Sequence, residues 1–174
     1  RAMSLSAIRQ ELESIAREGY HEVVLSGINL GEYRGENDER FIDVLKMIDD
    51  YEPPYRVRIS SIEPNTLSTE IIDLIAASKT FVPHLHVPLQ SGSADVLRSM
   101  RRRYNPTKYR EMAAHVASTL PHAALGIDVI VGFPGETDEL FEETVTFLQG
   151  LPFTYLHVFT YSERENTPAS SMPG

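Results

Sequence analysis

The feature that most constrains the fold is a regular alternation between helical and strand-like hydrophobic patterns. Leu5, Ile8 and Leu12 recur at helical spacing, and the apolar run 21–26 that follows is typical of a buried strand. The same alternation continues to the end of the chain. It predicts further strands over 56–62, 81–89, 124–131 and 153–159. Strands that alternate with helices indicate an α/β fold with a parallel sheet and outer helices.

Polar residues and prolines predict where the helices begin and end. Ser68 and Thr137 each precede an apolar helical stripe, and Asn105 is followed by a proline suited to the first turn. The chain opens on a helix, whereas a (β/α) barrel opens on a strand. A closed barrel, an open half-barrel and a doubly wound sheet share this alternation, and each would lack its first strand within residues 1–161. We expect the Ser- and Pro-rich segment 162–174 to be a linker.

The composition limits the partners and the kinds of site that the chain can have. The 174 residues suffice for one domain with a sizeable core, and a net charge of −9 works against attraction to nucleic acid. No apolar run could span a bilayer and no signal sequence opens the chain. We therefore expect a cytoplasmic protein with no membrane partner. The chain has no cysteine, which excludes disulfides and thiolate-bound clusters within it.

Small and polar residues follow each predicted strand. In barrel-like sheets the binding site forms at the carboxyl ends of the strands, where glycines let a ligand approach the backbone. The candidates at these ends are Gly27, Asn29, Glu63, Gln90, Ser91, Asp128 and Gly132. Such a set suits a ligand with an amino group, a carboxylate, a ribose and an adenine. Glu63 could accept from the ammonium and Arg102 could hold the carboxylate. Ile130 and Phe159 could flank the adenine.

Taken singly, most of these residues also have an ordinary structural explanation. Gly27 and Gly132 could be turn glycines, and Gln90 could bond a neighbouring loop. Asp128 is different, because a carboxylate within an apolar strand must be paired or face a cavity.

Two histidines, His84 and His86, alternate on one predicted strand and so share a face. Such a pair can ligate a metal, but no third ligand stands at a suitable spacing. We interpret them as a satisfied structural pair and predict no metal ligands in this chain.

Five consecutive sequence runs resemble motifs of the radical S-adenosylmethionine (SAM) methylthiotransferases. They are LSGINLG at 25–31, RISSIEP at 58–64, HLHVPLQSGSADVLRSMRRRY at 84–104, DVIVGFPGET at 128–137 and LHVFTYSERENTPA at 156–169. The runs occur in the order found in that family and extend over nearly the whole chain. Together they are far more specific than any single motif.

The resemblance implies a fold, two kinds of cofactor and a substrate. Enzymes of this family use a partial TIM-type barrel of six βα units, bind SAM and hold a 4Fe–4S cluster with three closely spaced cysteines. A second cluster and much of the RNA-binding surface lie in other domains. The reaction replaces a C–H hydrogen with a methylthio group, so tRNA and an electron donor such as flavodoxin are implied partners.

The resemblance also assigns cofactor contacts to particular residues, although it assigns no catalytic one. The implied cofactor-binding set is Gly27, Asn29, Glu63, Gln90, Ser91, Arg102, Asp128, Ile130, Gly132 and Phe159. Gly27 and Asn29 match the loop near the methionine amino group. Gln90 and Arg102 match the pair that contacts ribose and carboxylate, and Asp128 matches the position near the ribose.

Within the family, the runs RISSIEP and LHVFTYS most resemble the motifs of the branch that modifies N6-threonylcarbamoyladenosine beside the tRNA anticodon. Branches that act on isopentenyladenosine in tRNA or on a ribosomal-protein aspartate are alternatives. A non-catalytic binding module and a metal-free barrel aldolase or isomerase are alternatives of other classes. An aldolase needs a lysine at a strand end, but Lys46, Lys79 and Lys108 fall on predicted helices or loops.

The missing cysteine triad is the one serious departure from the family. In the family's order the triad would lie just before Arg1, so we expect that the chain is truncated there and does not turn over by itself.

Overall fold

The computed structural model describes residues 2–164 and 167–172. Helices and strands alternate along this part of the chain as the sequence predicts. The elements are α1 (Leu5–Glu18), β1 (Glu22–Leu25), α2 (Phe41–Tyr51), β2 (Arg56–Ile59), α3 (Thr69–Ala77), β3 (His84–His86), α4 (Ala94–Ser99), α5 (Pro106–Thr119), β4 (Ala124–Val131), α6 (Asp138–Gln149) and β5 (Tyr155–Thr160). Short 3₁₀ turns lie at Leu30–Glu32 and Pro168–Ser171.

All strand pairs are parallel, and the strand order follows the chain order. β1 pairs with β2, and β3, β4 and β5 form a second ladder. Isolated parallel bridges from Val57 to Phe81 and from Ser61 to His86 connect β2 to the β3 segment. A parallel sheet in sequential order with helices between the strands is the arrangement of a barrel-type α/β fold, so the predicted fold class is confirmed.

The predicted strand over 81–89 is shorter than expected. Only His84–His86 is regular strand, with an isolated bridge on either side of it. Pro83 and Pro88 flank this piece. Because proline has no N–H to donate, each one interrupts the hydrogen-bond ladder.

The core lies between the outer face of the sheet and the helices. Val57, Ile59, Leu85, Leu125 and Ile127 alternate along their strands on this face and are almost fully buried. The apolar stripe of α2 packs in the same core. Removing these side chains from water is the main term that stabilises the layer.

The alternate positions form the opposite, inner face of the sheet, which is polar. Its residues in the described strands include Glu22, Arg58, His84, His86, Gly126, Asp128, Tyr155, His157 and Phe159. The strand register thus places an apolar core on one side of the sheet and a chemically rich surface on the other.

The predicted helix starts are confirmed. The side chains of Ser68, Asn105 and Thr137 each accept a hydrogen bond from the backbone N–H three residues further on. Gly19 ends α1 at a φ of 78°, which glycine adopts without strain.

Part of the segment 162–174, predicted to be a linker, is described, and that part contains the 3₁₀ turn Pro168–Ser171. Residues 165, 166, 173 and 174 lie outside the described residues. The division at residue 161 stays a prediction. Among the described helices, none is long and apolar enough to cross a membrane.

Candidate functional site

A charged pair stands at the carboxyl edge of the sheet, beyond β2. Nη1 of Arg102 donates to Oε1 of Glu63 at 3.1 Å and lies 3.4 Å from Oε2. Both side chains are mostly covered, with exposed fractions of 28% for Arg102 and 32% for Glu63. Nε of Arg102 is buried and has no hydrogen-bond partner among the described residues. Part of the guanidinium is therefore free to bind a further acceptor.

Two further contacts bring the loop after β1 to the same edge. Glu32 and Arg103 form an ion pair at 2.9 Å. Gly31 lies so close to Thr66 that a Cβ at Gly31 would overlap the threonine hydroxyl. Only glycine allows this close approach, so the loops after β1 and β2 and the loop between α4 and α5 form one continuous rim.

Gln90 lies beside this rim at the end of the β3 segment, in a strained conformation. Its φ of 68° is in the left-handed region, which a glutamine seldom adopts. The backbone holds it there, because its N–H donates to Asp128 O at 2.8 Å and its carbonyl accepts from Ile130 N at 2.9 Å. Its side-chain Oε1 is buried without a hydrogen-bond partner in the described chain. Strain and an unpaired polar atom at one residue are typical of a binding site.

Ser91 follows Gln90 but faces the helices. Its hydroxyl lies 3.0 Å from Oγ1 of Thr144 on α6, and it is fully buried. A Cβ at the next residue, Gly92, would come within 2.7 Å of Phe147, so the backbone sits directly on α6. The Ser91 side chain therefore anchors the loop, and a contact from Ser91 to a ligand would have to come from its backbone.

Asp128 is paired, as its position within an apolar strand requires. Its Oδ2 lies 3.0 Å from Nε2 of His86, and its Oδ1 lies 3.1 Å from Nδ1 of His157. The three residues come from β3, β4 and β5 and meet on the inner face. We call them the His–Asp–His cluster.

The hydroxyl of Tyr155 contacts His86 of this cluster and the neighbouring His84. The Tyr155 hydroxyl lies 2.8 Å from Nε2 of His84 and 3.3 Å from Nδ1 of His86. The Tyr155 ring passes directly over Gly126, where any Cβ would overlap it. Burial lowers the pKa of His84, and the Arg58 charge acts in the same direction. Burial also raises the pKa of Tyr155.

Two buried tyrosines hold the backbone before Gln90 from the helix side. Tyr104 donates to Leu89 O at 3.0 Å, and Tyr109 donates to Val87 O. Burial raises the pKa of both hydroxyls, so each remains a donor at neutral pH. The position of Gln90 is thus fixed from two sides.

Three other predicted residues stand along β4 and β5. Ile130 and Phe159 are direct partners in the strand register, and Phe159 is 52% exposed. Gly132 has a φ of 73°, and its N–H donates to the Glu136 carboxylate. The first two form neighbouring apolar surfaces on the inner face, and Gly132 shapes the turn that follows β4.

Gly27 and Asn29 lie apart from these residues in an exposed loop. They border a groove of about 740 Å³ beside β1, which Val24, Ile28 and Leu30 also line. In the described part of the chain, no hydrogen bond or ion pair joins Gly27 or Asn29 to Gln90, Arg102 or Asp128. The described contacts therefore join Arg102 to Glu63 and Gln90 to the backbone of β4, whereas Gly27 and Asn29 lie in an open loop and Ser91 faces α6.

His157 and Tyr155 were not expected to belong to the site. The sequence contains one signal for them, because period-2 alternation along 153–159 places Tyr155, His157 and Phe159 on one face. That alternation does not reveal which residues of β3 and β4 lie opposite them.

The fold is that of a barrel-type α/β protein, with a candidate site at the carboxyl edge of a parallel sheet. The family model of the Radical SAM superfamily matches residues 1–148. The chain therefore belongs to the Radical SAM superfamily.

Curated relatives show which enzymes of the superfamily the chain is similar to. The threonylcarbamoyladenosine tRNA methylthiotransferase MtaB of Bacillus subtilis is 43% identical over 166 residues, 94% of this chain and 37% of the relative. The enzyme of the same name from Thermotoga maritima is 36% identical over all 174 residues, 40% of its own length. The tRNA-2-methylthio-N(6)-dimethylallyladenosine synthase of Bacillus licheniformis is 37% identical over 171 residues, 95% of this chain and 33% of the relative. The chain spans about two-fifths or less of the length of these relatives.

Solved structures support the fold. Coproporphyrinogen III oxidase (HemN) from Escherichia coli, a radical SAM enzyme, aligns with a TM-score of 0.68 at 20% identity, over 91% of this chain and 36% of that one. The cobalamin-dependent SAM radical enzyme OxsB aligns with a TM-score of 0.69 at 14% identity, over 85% of this chain and 22% of that one. At these identities the likeness concerns the fold alone.

The superfamily implies SAM and a 4Fe–4S cluster. The residues of this chain suit SAM but not the cluster. The unpaired Oε1 of Gln90 is an acceptor and the unpaired Nε of Arg102 is a donor, and both stand at the carboxyl edge. A polar ligand such as SAM could satisfy both atoms. The cluster needs thiolate ligands, and the chain has no cysteine. The residues of this chain therefore do not fit the cluster.

Proposed function

We propose that this chain is the SAM-binding part of a methylthiotransferase that modifies N6-threonylcarbamoyladenosine in tRNA, next to the anticodon. The observation that carries the proposal is the strained Gln90, whose buried Oε1 has no partner among the described residues. A side chain held in this way at a strand end is organised to accept a hydrogen bond from a ligand. The names of the curated relatives support the chemistry and the tRNA substrate.

Arg102 and Glu63 would bind the charged end of SAM. The guanidinium would hold the carboxylate of the methionine part, and Glu63 would accept from its ammonium group. In the structure the two side chains neutralise each other, which keeps both oriented toward the edge of the sheet. Gly27 and Asn29 would complete the ammonium contacts from the open loop.

Gln90, Asp128 and the apolar pair would bind the nucleoside part. Gln90 Oε1 would accept from a ribose hydroxyl, and Ile130 and Phe159 would contact the adenine. Both oxygens of Asp128 already face imidazoles, but a carboxylate oxygen has two lone pairs. A ribose hydroxyl could therefore share Oδ1 with the exposed His157. The Gly132 turn would border the adenine, and Ser91 would contribute through its backbone.

The partners of the whole protein follow from the same proposal. With a net charge of −9, this chain would supply little of the attraction to tRNA, which would come largely from other segments. A reductive reaction requires an electron donor, for which a flavodoxin-type protein is suited. A tRNA substrate would place the protein in the cytoplasm.

A chimaera tests the proposal. Residues 1–174 would replace the aligned segment of the Bacillus subtilis methylthiotransferase, which supplies the cysteines and flanking domains. The chimaera should restore 2-methylthio-N6-threonylcarbamoyladenosine in the tRNA of a strain that lacks the parent enzyme, as measured by nucleoside mass spectrometry. Gln90→Ala in the chimaera should abolish the product, whereas Lys46→Ala, which removes an exposed side chain on α2 paired with Glu70, should not. A folded chimaera with a reconstituted cluster and no product would sink the proposal.

A second substrate is favoured by the dimethylallyladenosine synthases among the relatives, for example at 37% identity. The same segment would be placed in the Bacillus subtilis synthase, which is 36% identical to it. If only this second chimaera modifies tRNA, the substrate belongs to the dimethylallyladenosine branch and the SAM-binding part of the proposal stands.

A further inference from the structure

The His–Asp–His cluster contains three donors of the types that bind transition metals. His86, Asp128 and His157 each offer one ligand atom, and these atoms all lie within 4.8 Å of one another. Two imidazole nitrogens and one carboxylate oxygen on one side of a site are a recurrent set for divalent first-row metals. The third ligand that the sequence spacing did not reveal comes from β5, two strands away from His86.

The strand register fixes this arrangement. Asp128 is the direct partner of His157, and His86 is the partner of Gly126, two residues before Asp128 on the same face. Three neighbouring parallel strands therefore present the donors from rigid backbone. Ligands at about 2.0–2.2 Å from a common metal require only a small inward movement of the side chains.

His86 is not satisfied by the carboxylate alone. Its Nε2 is buried and makes no well-directed hydrogen bond in the described structure, although Asp128 Oδ2 lies 3.0 Å away. Its other nitrogen, Nδ1, faces the Tyr155 hydroxyl at 3.3 Å. A ring whose second nitrogen is held by a neighbouring group presents its first nitrogen in a fixed direction, as histidine ligands of metals do.

Charge and access also suit a cation. Arg58, a cation on the inner face, is neutralised by Glu22, whose Oε1 lies 2.8 Å from Nε of Arg58. The His157 side chain is 54% exposed, whereas His86 and Asp128 are mostly covered. A bound ion would thus be reachable from solvent and would keep open coordination positions.

The geometry points to a binding site for one divalent transition metal ion, such as Zn²⁺ or Co²⁺, on His86, Asp128 and His157. This inference goes beyond the proposed function, because the ion is neither SAM nor part of the cluster. It shares Asp128 and His157 with the proposed ribose contact, so the titration is made in the absence of SAM. It also replaces the expectation that the chain holds no metal ligands, which rested on His84 and His86 alone.

Titration of the chelator-treated chain tests the site. Co²⁺ should bind with one equivalent per chain and give visible d–d bands stronger than those of the aqueous ion, and Zn²⁺ should displace it. His157→Ala should lower the affinity at least as much as Tyr155→Phe, for which the loss of a supporting group predicts about 10–100-fold. Because His157 is half exposed, its replacement leaves the core intact, and circular dichroism would confirm that the variant is folded.

A matched control is available in the same chain. His115 and Asp73 also form a pair at 3.1 Å, but on α5 and α3, and the described residues offer no third ligand beside them. His115→Ala should leave the stoichiometry and affinity unchanged. If Co²⁺ keeps the spectrum of the aqueous ion, or His157→Ala binds it as tightly as the parent, the three residues form only a hydrogen-bonded network and the inference is wrong.

Discussion

β4 and β1 are both parallel strands of one sheet, but they differ in length, pairing and cover. β4 spans eight residues and has a hydrogen-bonded neighbour on each side. β1 spans four residues and, within the described residues, pairs only with β2. The side chains of β4 that face the helices are buried, whereas Val23 and Leu25 on the same face of β1 are only partly buried. On the inner face of β1, Val24 is 52% exposed.

This contrast extends to the site. The backbones of Asp128 and Ile130 on β4 are hydrogen-bonded to Gln90. The Asp128 carboxylate also contacts His86. Gly27 and Asn29, placed by β1, lie in an exposed loop beside an open groove. The residues that β4 places in the candidate site are therefore held by hydrogen bonds, whereas Gly27 and Asn29 lie in an exposed loop.

The largest expected effect tests the difference in cover. Ile127→Ala removes a fully buried side chain from β4 and should lower the free energy of unfolding by about 2–5 kcal/mol. Val24→Ala on β1 should change it by no more than about 0.5 kcal/mol, because that side chain is half exposed. Urea unfolding of both variants measures the difference. Equal losses would show that β1 is as well covered as β4.

A smaller effect is expected from crowding on the inner face. Gly126→Ala places a Cβ against the Tyr155 ring and should cost about 1–3 kcal/mol in unfolding free energy. The control is Gly27→Ala in the loop after β1, where the new Cβ meets only the flexible Leu30 side chain, at 3.0 Å. Adding Tyr155→Ala to Gly126→Ala should cost less than the sum of the two single changes. Additive losses would contradict the close packing of Tyr155 on Gly126.

The sequence predicted the secondary structure of β4 better than that of β3, for a physical reason. A run that is apolar apart from Gly126 and Asp128 set the bounds of β4 at 124–131, as the structure has them. In β3 the hydrophobic pattern continued through Pro83 and Pro88, but the hydrogen-bond ladder could not. Helix starts were predictable because the capping residues act within three positions.

The chemistry of the site was only partly predictable. Asp128 was identified as a residue that needs a partner, but His157 lies 29 positions away and is brought to it only by the strand register. The strain at Gln90 has no sequence signal, since glutamine is not a residue that marks a positive φ. Contacts made across strands depend on tertiary structure, which local patterns do not contain.

The dependence of stability on alkaline pH tests how firmly α1 is attached to the sheet beside β1. Tyr55, just before β2, donates to Leu12 O at 2.8 Å and ties α1 to the sheet. Burial raises its pKa to about 12. The unfolded chain loses this proton near pH 10, so the stabilisation is complete below pH 10 and is lost as the pH rises through 12. Tyr55→Phe should be less stable at pH 7 by about 1 kcal/mol but should lose less stability between pH 10 and 12.

Denaturant midpoints measured from pH 7 to pH 12 would check this expectation. The control is Tyr20→Phe, since Tyr20 is 56% exposed and precedes β1. Its profile should follow that of the parent. An unchanged alkaline profile in Tyr55→Phe would mean that other buried tyrosines, such as Tyr109 near β3, dominate the alkaline loss.

The smallest expected effect concerns the ladder between β1 and β2, the single ladder of β1 within the described residues. The Glu22 carboxylate contacts Arg58 at 2.8 Å and Arg56 at 2.6 Å on β2, and the hydrogen bond from Arg58 is the main cause that lowers the pKa of Glu22. Because the folded pKa lies below the unfolded one, the stabilisation is present above about pH 4.5 and is lost as the pH falls through the folded value. Glu22→Gln should therefore flatten the acid limb of the stability profile and reduce its salt dependence. Glu70→Gln, which breaks the exposed pair with Lys46, should leave the acid limb nearly unchanged. If the two variants behave alike, the ion pairs between β1 and β2 add nothing to the backbone ladder that holds β1.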